Sequence, residues 1–549
     1  MAKGNMNARE RIEYLLDDNS FVEIGKYVTA RNTDYNLNSE KAEGDGVITG
    51  YGVMDGRMVY VYSQDASVLG GSVGEMHAKK IVALYDLAMK TGAPVIGMID
   101  CAGIRLQEAS DALEAFGNIF AKQGQASGKI VQISAVFGMC GGGCAVMSAM
   151  SDFTFMERKE GSLFINSPNT LDNEKLNPAE IEKDEIENID FVCDSEEELL
   201  TDLRELVSIL PSDYESKNFL SECSDDLNRV IPELNDSAYD AQYLLKAISD
   251  DNLFVQIKKE TAKSMVIGFI KLNGETIGVV ANQSVNGESV LETKSVDQAT
   301  RFIKFCDAFS IPILTVTDVE GMKTSREEER KMARILAIYT KEMISSTVPK
   351  VNLIVGKAFG TAGVIMNSKS IGADFVLAWP QASIGMMDPE QAVRIMYAKE
   401  IEENDDQIAL INEKTVEYAQ MQNSAESAAK RGAIDDIIIP DATRKRLIMA
   451  YEMLYGKKQR NEDKKHTTTY RCKCRSCVFT WRENGKSRYE YIDGNGNRIC
   501  NADLYLITDL TFWIYSKIRR EDQKYREKTR TCKDRRISRS CRGTTDTGS

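Results

Sequence analysis

Apolar and polar residues alternate with a period of two through GVITGYGVMDGRMVYVYSQD (Gly46 to Asp65), interrupted at Asp55-Gly56. That pattern predicts two antiparallel strands joined by a tight hairpin, because Asp-Gly supplies the positive φ angles the turn needs. The pattern recurs in MVIGFIKLNGETIGVVANQ (Met265 to Gln283), with the turn at Asn273-Gly274. After each hairpin the period lengthens to three and four in HAKKIVALYDLAMKTGAP and SVDQATRFIKFCDAFSIP, which predicts helices that stop at Pro94 and Pro312. A short apolar strand ending in Asp-x-x-Gly follows each: PVIGMIDCAG (Asp100, Gly103) and PILTVTDVEG (Asp318, Gly321). A second helix then leads to a buried strand and a Gly-rich turn, QISAVFGMCGGGCAVMSAMSD and NLIVGKAFGTAGVIMNSKSIGAD.

The chain therefore repeats a unit of roughly 100 residues at an offset of about 218 to 219 positions. Uniformly apolar strands separated by helices predict an α/β class with parallel sheet, present twice. The expected division is a first half over residues 1–240, a second half over 241–458 and a tail over 459–549. Within the first half, the acidic stretch from about 170 is read as a helical connector.

Composition narrows the function. A net charge of -14 does not suit a nucleic-acid surface, which needs clustered Lys and Arg. The tail differs: residues 461–549 hold 21 Lys and Arg against 12 Asp and Glu, near +9, which leaves about -23 for the remainder. Its cysteines, including Cys472, Cys474 and Cys477, lack a second pair at zinc-site spacing, so the tail is read as a disordered or aberrant extension rather than a metal module. Cys101, Cys140 and Cys144 lie in apolar or Gly-rich runs and are read as small packing groups. No apolar run is long enough to span a membrane and no signal core opens the chain, so the expected location is cytoplasmic.

Only two histidines are present, His77 and His466. A Ser-His-Asp hydrolase, a Cys-His protease or a His-rich metal centre is difficult to build from that stock. His77 falls in an amphipathic helix and is read as packed or surface-facing. Neither a P-loop nor a dinucleotide-binding Gly motif occurs. The chemistry is expected instead at the two Gly-rich turns, where a helix starts directly after a buried strand and leaves amides unpaired. The expected donors are Gly142 and Gly143 in the first half and Thr361 and Ala362 in the second. Gly70 and Gly71, in SVLGGSVGE, could line the same pocket or close a turn.

ARERIEYLLD, GDGVITGYGVMDGRMVYVYSQD, GAPVIGMIDCAGIRLQE, the GGG turn ending in SDFTFM, IPILTVTDVEG, VGKAFGTAGVIMNSKSIGADFVLAWP and RGAIDDIIIPDATRKRL occur in that order. Together they resemble the biotin-dependent carboxyltransferases, among them propionyl-CoA carboxylase beta subunits and the alpha subunits of methylmalonyl-CoA decarboxylases. The resemblance covers about Asn7 to Lys458. It implies a duplicated crotonase-like (ClpP/crotonase) fold, with CoA bound mainly on the first half and biotin on the second. It also implies a dimer-based homo-oligomer or hexamer whose site lies between subunits.

The implied substrate is an acyl-CoA thioester. The implied cofactor is biotin on a separate biotin carboxyl carrier protein, because the only near match to a biotinylation motif, Ala88-Met89-Lys90, runs into Thr91 at the end of a helix. Further implied partners are a biotin carboxylase or membrane decarboxylase subunits. By position, Gly142-Gly143 match the family's first oxyanion pair and Thr361-Ala362 its second; Ala102, Gly103 and Val364 stand at substrate-binding positions. Thr361 replaces a Gly of the family pattern, and Val364 stands where many acyl-CoA carboxylases have Asp, a position associated with acyl-chain choice. Two other classes are kept open: a crotonase-type hydratase or hydrolase, and a non-catalytic assembly subunit of a biotin enzyme complex.

Overall fold

The computed structural model describes residues 6–31, 44–166, 188–211, 223–236, 240–261, 263–283 and 289–460, all within one compact unit, Met1–Tyr470. The basic tail beyond Arg460, with its cysteines, and much of the acidic connector lie outside the described residues.

The two hairpin turns form as their sequences require. Asp55 and Gly56 take φ of 49° and 78°, Asn273 and Gly274 52° and 76°. The first half contributes β1 (Val22–Ile24), the hairpin strands β2 (Val47–Met54) and β3 (Arg57–Gln64), β4 (Val95–Cys101), β5 (Gln132–Gly141), β6 (Phe153–Glu157), β7 (Ser162–Phe164) and β8 (Phe191–Cys193). Their order is β1-β2-β3-β4-β5-β6-β8, and β7 pairs with the far end of β5. The second half contributes β9 (Phe254–Ile257), β10 (Met265–Leu272), β11 (Glu275–Asn282), β12 (Val290–Leu291), β13 (Ile313–Val319), β14 (Gly321–Met322), β15 (Lys350–Phe359), β16 (Phe375–Ala378), β17 (Ser383–Gly385) and β18 (Asp436–Ile437). There the order is β18-β16-β15-β13-β11-β10-β9, with β17 beside β15.

The topologies match strand for strand. In both sheets the hairpin is antiparallel and every later pairing is parallel. Finer features repeat as well. The lone bridge Val73 to Ile104 in the first half reappears in the second as the pairing of Leu291 with Met322, each 218 positions further on. The α/β expectation, twice over, is what the chain forms.

Helices cover the sheets: α1 (Ala8–Leu15), α2 (Glu75–Thr91), α3 (Ala109–Ala126), α4 (Gly143–Ala149) and α5 (Glu196–Ile209), then α6 (Glu233–Asp236), α7 (Ala241–Ile248), α8 (Thr293–Ala308), α9 (Arg326–Ser345) and α10 (Gly360–Ile365). Helix α1 starts at a reciprocal cap in which Asn7 accepts from the Glu10 amide and Glu10 accepts from the Asn7 amide. Helices α2 and α8 end before the prolines expected to stop them. Gly92, left-handed at φ 72°, caps α2, and Phe309 caps α8, with Ser310 at φ 57° just beyond.

One of the four core clusters among the described residues runs through both repeats. It takes in Ile12, Phe153, Leu199, Leu203 and Leu206 from the first and Phe269, Phe302 and Phe305 from the second. Phe153 meets Phe305 edge-on at 4.7 Å between ring centres. Each fully buried Leu in this contact stabilises the chain by roughly 1.5–3 kcal/mol.

Candidate active site

Strand β5 delivers the first Gly-rich turn. It ends at Gly141; Gly142 takes φ 57° and ψ -117°, a region L side chains avoid, and α4 begins at Gly143. A methyl group at Gly142 would find open space, its nearest neighbour being the Ile165 carbonyl at 4.0 Å, so that glycine is needed for its backbone angle. Gly143 is needed for space, since a Cβ there would lie 2.6 Å from the Phe116 ring.

The amides sort themselves into used and free. The Gly142 N–H donates to the Phe164 carbonyl of β7 at 2.8 Å, and the Ala145 N–H returns to the Gly142 carbonyl at 3.1 Å. Between them, the N–H groups of Gly143 and Cys144 have no partner among the described residues.

The second turn has the same build. Strand β15 ends at Phe359, and Gly360 takes φ 55° at the start of α10. The N–H groups of Thr361 and Ala362 are without a partner among the described residues. The structure thereby corrects the expected correspondence by one residue. At the 218 offset that superposes β5 on β15, Gly142 matches Gly360, and Thr361-Ala362 match Gly143-Cys144. Gly142 shapes the turn while its own amide is committed to β7, so Cys144 takes its place as the second free donor.

The other glycines come together at the first turn. Gly70 and Gly71, at φ 64° and 63°, form a tight turn in which the Gly70 carbonyl accepts from the Ala102 N–H at 3.1 Å. Any Cβ on Gly71 would overlap the Asp100 carbonyl, and one on Gly103, at φ 115°, would lie 3.4 Å from the Gly141 carbonyl. Gly70, Gly71, Ala102, Gly103, Gly142 and Gly143 are thus neighbours. Thr361, Ala362 and Val364 sit on the other turn, and no hydrogen bond or ion pair among the described residues joins the two turns. Val364 of α10 is 43% exposed, and next to the first turn Met139 of β5, Val146 of α4 and Ile165, whose carbonyl lies nearest a Cβ built on Gly142, are exposed apolar side chains.

A buried ionic cluster that the sequence did not reveal holds these loops. The Arg105 guanidinium is wholly buried and donates to the Asp45 carboxylate, to Glu108 at 2.9 Å and to the Ser72 carbonyl at 2.6 Å. Glu108 accepts the Glu75 N–H at 2.6 Å, and Asp45 accepts the His77 N–H at 2.7 Å. Burial raises the Asp45 carboxyl, and the Arg105 charge opposes that rise. His77 is buried beside the same cluster, and desolvation with the Arg105 charge pushes its pKa down to about 3. It is therefore a neutral packed histidine, its Nδ1 2.9 Å from the Asp45 carbonyl. Asp45 and Glu108 carry no local pattern in the sequence; their only hint is the pair of glycines flanking Asp45.

Cys101, Cys140 and Cys144 are free and buried, as packing groups. Among the described residues no cluster of His, Cys, Asp or Glu is placed to hold a metal ion, and no helix is long and apolar enough to cross a membrane. A cleft of about 600 Å³ bordered by Arg158, Asp190, Phe254 and Lys258 includes none of the turn residues.

Residues 1–469 match the carboxyl transferase domain family. The chain is 42% identical over 480 residues to a putative propionyl-CoA carboxylase beta chain of Bacillus subtilis (strain 168), covering 84% of this chain and 93% of that one. It is 39% identical over 485 residues to the methylmalonyl-CoA decarboxylase subunit alpha of Propionigenium modestum, covering 85% and 93%. Among solved structures it is similar to the transcarboxylase 12S hexamer crystallised with hydrolysed methylmalonyl-coenzyme A, with 33% identity, a TM-score of 0.78 and coverage of 82% of this chain and 90% of that one. Twin sheets ending in twin turns and a match along nearly the whole described chain lead to one conclusion: the protein belongs to the carboxyl transferase domain family and is a carboxyltransferase.

Proposed function

We propose that the chain moves a carboxyl group between biotin on a separate carrier protein and a CoA thioester of the propionyl-CoA or methylmalonyl-CoA type. The observation that carries this is the duplicated pair of free, adjacent main-chain amides, Gly143-Cys144 and Thr361-Ala362. Two adjacent N–H groups suit one oxygen that gains negative charge, and placing them on rigid backbone means no reorganisation when the charge appears. Gly143-Cys144 would hold the thioester oxygen, with Gly70, Gly71, Ala102 and Gly103 lining the approach of the CoA arm. Thr361-Ala362 fit the ureido oxygen of biotin, and Val364 borders the acyl group.

Bound biotin supplies the carboxyl-carrying nitrogen and the base for the acyl α-proton, which suits a chain whose one described histidine, His77, is buried and neutral. The residues of this chain bind, orient and stabilise charge. Loss of one such donor raises the barrier by about 3 kcal/mol, on the order of a hundredfold in rate. No hydrogen bond or ion pair among the described residues joins the two turns within one chain, and on our reading the complete site forms where the first half of one copy meets the second half of another. The domain limits proposed are 1–240 and 241–458, and the carrier is joined by a biotin carboxylase or by membrane decarboxylase subunits.

The test is a carboxyl-exchange assay with methylmalonyl-CoA as donor and free biotin as acceptor, across a panel of acyl-CoA esters. Carboxyl transfer that requires biotin supports the reading. Turnover indifferent to biotin would point to a hydratase or hydrolase, and CoA binding without carboxyl movement to an assembly subunit; either result refutes it.

A further inference from the structure

The parallel pairing of β4 with β5 slips once. Ile99 pairs with Val136, but Cys101, two residues on, pairs with Cys140, four residues on. The pairing of β13 with β15 slips in the same place: Thr317 faces Ile354 and Val319 faces Ala358. In each half, therefore, three residues of the longer strand (Phe137-Gly138-Met139, Val355-Gly356-Lys357) stand opposite a single residue, Asp100 or Asp318. Bulged residues lose ladder partners, and an amide left unpaired inside a protein is costly.

The aspartate side chains answer that need. Lys357 donates its N–H to the Asp318 carboxylate at 2.8 Å, and Met139 donates its N–H to Asp100. Neither arrangement leaves room for a side chain on the intervening residue, since a Cβ on Gly138 or Gly356 would overlap the carboxylate. Beyond the bulge the strand turns to a new neighbour. Met139 to Gly141 pair with β7, and Lys357 to Phe359 pair with β17. Three residues after the gripped amide come Gly142 and Gly360, with φ of 57° and 55°.

The halves have diverged at most positions of these strands, yet Asp, bulge, Gly and turn are retained at one offset. In the first half the grip is reinforced. Arg11 reaches Asp100 at 3.3 Å, pairs with Glu196 at 2.8 Å and lies 4.5 Å above the Phe137 ring. Burial raises the Asp100 carboxyl and the Arg11 charge opposes that rise.

We infer that Asp100 and Asp318 are twin positioning residues, whose carboxylates grip the bulged strands and so set the direction of the two charge-stabilising turns. They touch no substrate. Their effect passes through Met139 to Gly143-Cys144 and through Lys357 to Thr361-Ala362. The inference rests on the proposed role of those turns and assigns the residues that aim them.

The experiment uses the full chain, with methylmalonyl-CoA as donor and free biotin as acceptor. Asp318→Asn keeps an oxygen that accepts from Lys357, so kcat stays within about threefold of the parent. Asp318→Ala removes the acceptor, and Asp318→Glu moves the carboxylate outward by one methylene. A displacement of about 1 Å at a reacting centre costs on the order of a hundredfold, so both should lower kcat by roughly 10- to 100-fold while KM for the thioester stays within about threefold. The same series at Asp100 should give the same ranking. Amide hydrogen exchange over Gly356–Ala362 and Gly138–Cys144, read alongside, should quicken in the Ala and Glu variants and not in Asn.

Full kcat in folded Ala and Glu variants, or a loss in Asn equal to that in Ala, overturns the inference. If the Ala variants do not fold, the Asn and Glu pair decides it by the same criteria. If the parent chain itself moves no carboxyl group, the functional reading fails, and hydrogen exchange alone then judges the positioning role.

Discussion

Replacing Gly142 by alanine separates backbone strain from crowding, because a Cβ there has no neighbour closer than the Ile165 carbonyl at 4.0 Å. Its whole effect comes from φ 57° with ψ -117°, which an L residue holds at a cost of about 1–3 kcal/mol. If the turn keeps its shape, that cost appears as lower stability and kcat is nearly unchanged. If the turn relaxes, as its rim position permits, the Gly143 and Cys144 amides rotate away and kcat falls on the order of a hundredfold, the scale for one lost donor. The same change at Gly360 adds crowding, since a Cβ would lie 3.1 Å from the Met386 carbonyl, so Gly360→Ala should be at least as damaging. Thermal unfolding and biotin-dependent carboxyl exchange on both variants give the two readouts. A Gly142→Ala protein with parental melting temperature and parental kcat would refute the argument, as would a Gly360→Ala protein milder than Gly142→Ala.

Arg105→Met should destabilise the protein by about 3–5 kcal/mol, because it leaves the Asp45 and Glu108 carboxylates buried without their cation. Urea unfolding measures this, and replacing both carboxylates by amides in the same chain should recover much of the loss. His77 gives a pH dependence of definite sign. Its folded pKa, about 3, lies below the unfolded value near 6.5, so its stabilising contribution is complete above pH 6.5 and is lost as pH falls towards 3. With a slope that approaches roughly 1.4 kcal/mol per pH unit below 6.5, the parent should lose about 2 kcal/mol more than His77→Gln between about pH 8 and about pH 5, as urea unfolding at the two values would show.

Much of this molecule is decided locally. The Asp-Gly and Asn-Gly turns, the apolar runs of the parallel strands and the 218-residue offset state the fold in the order of the chain, since hairpin geometry and strand burial depend on near neighbours. The two Gly-rich turns were legible for the same reason. Which amides in them stay free was not, because β7 and β17 arrive from outside the motif, and it is β7 that takes the Gly142 N–H. Nor could spacing show that Asp45, Arg105 and Glu108 meet in one dry cluster, or that Asp100 and Asp318 fill the gaps left by slipped strands. Those arrangements exist only once distant segments pack, because burial turns a solvated charge into one that must find its partner.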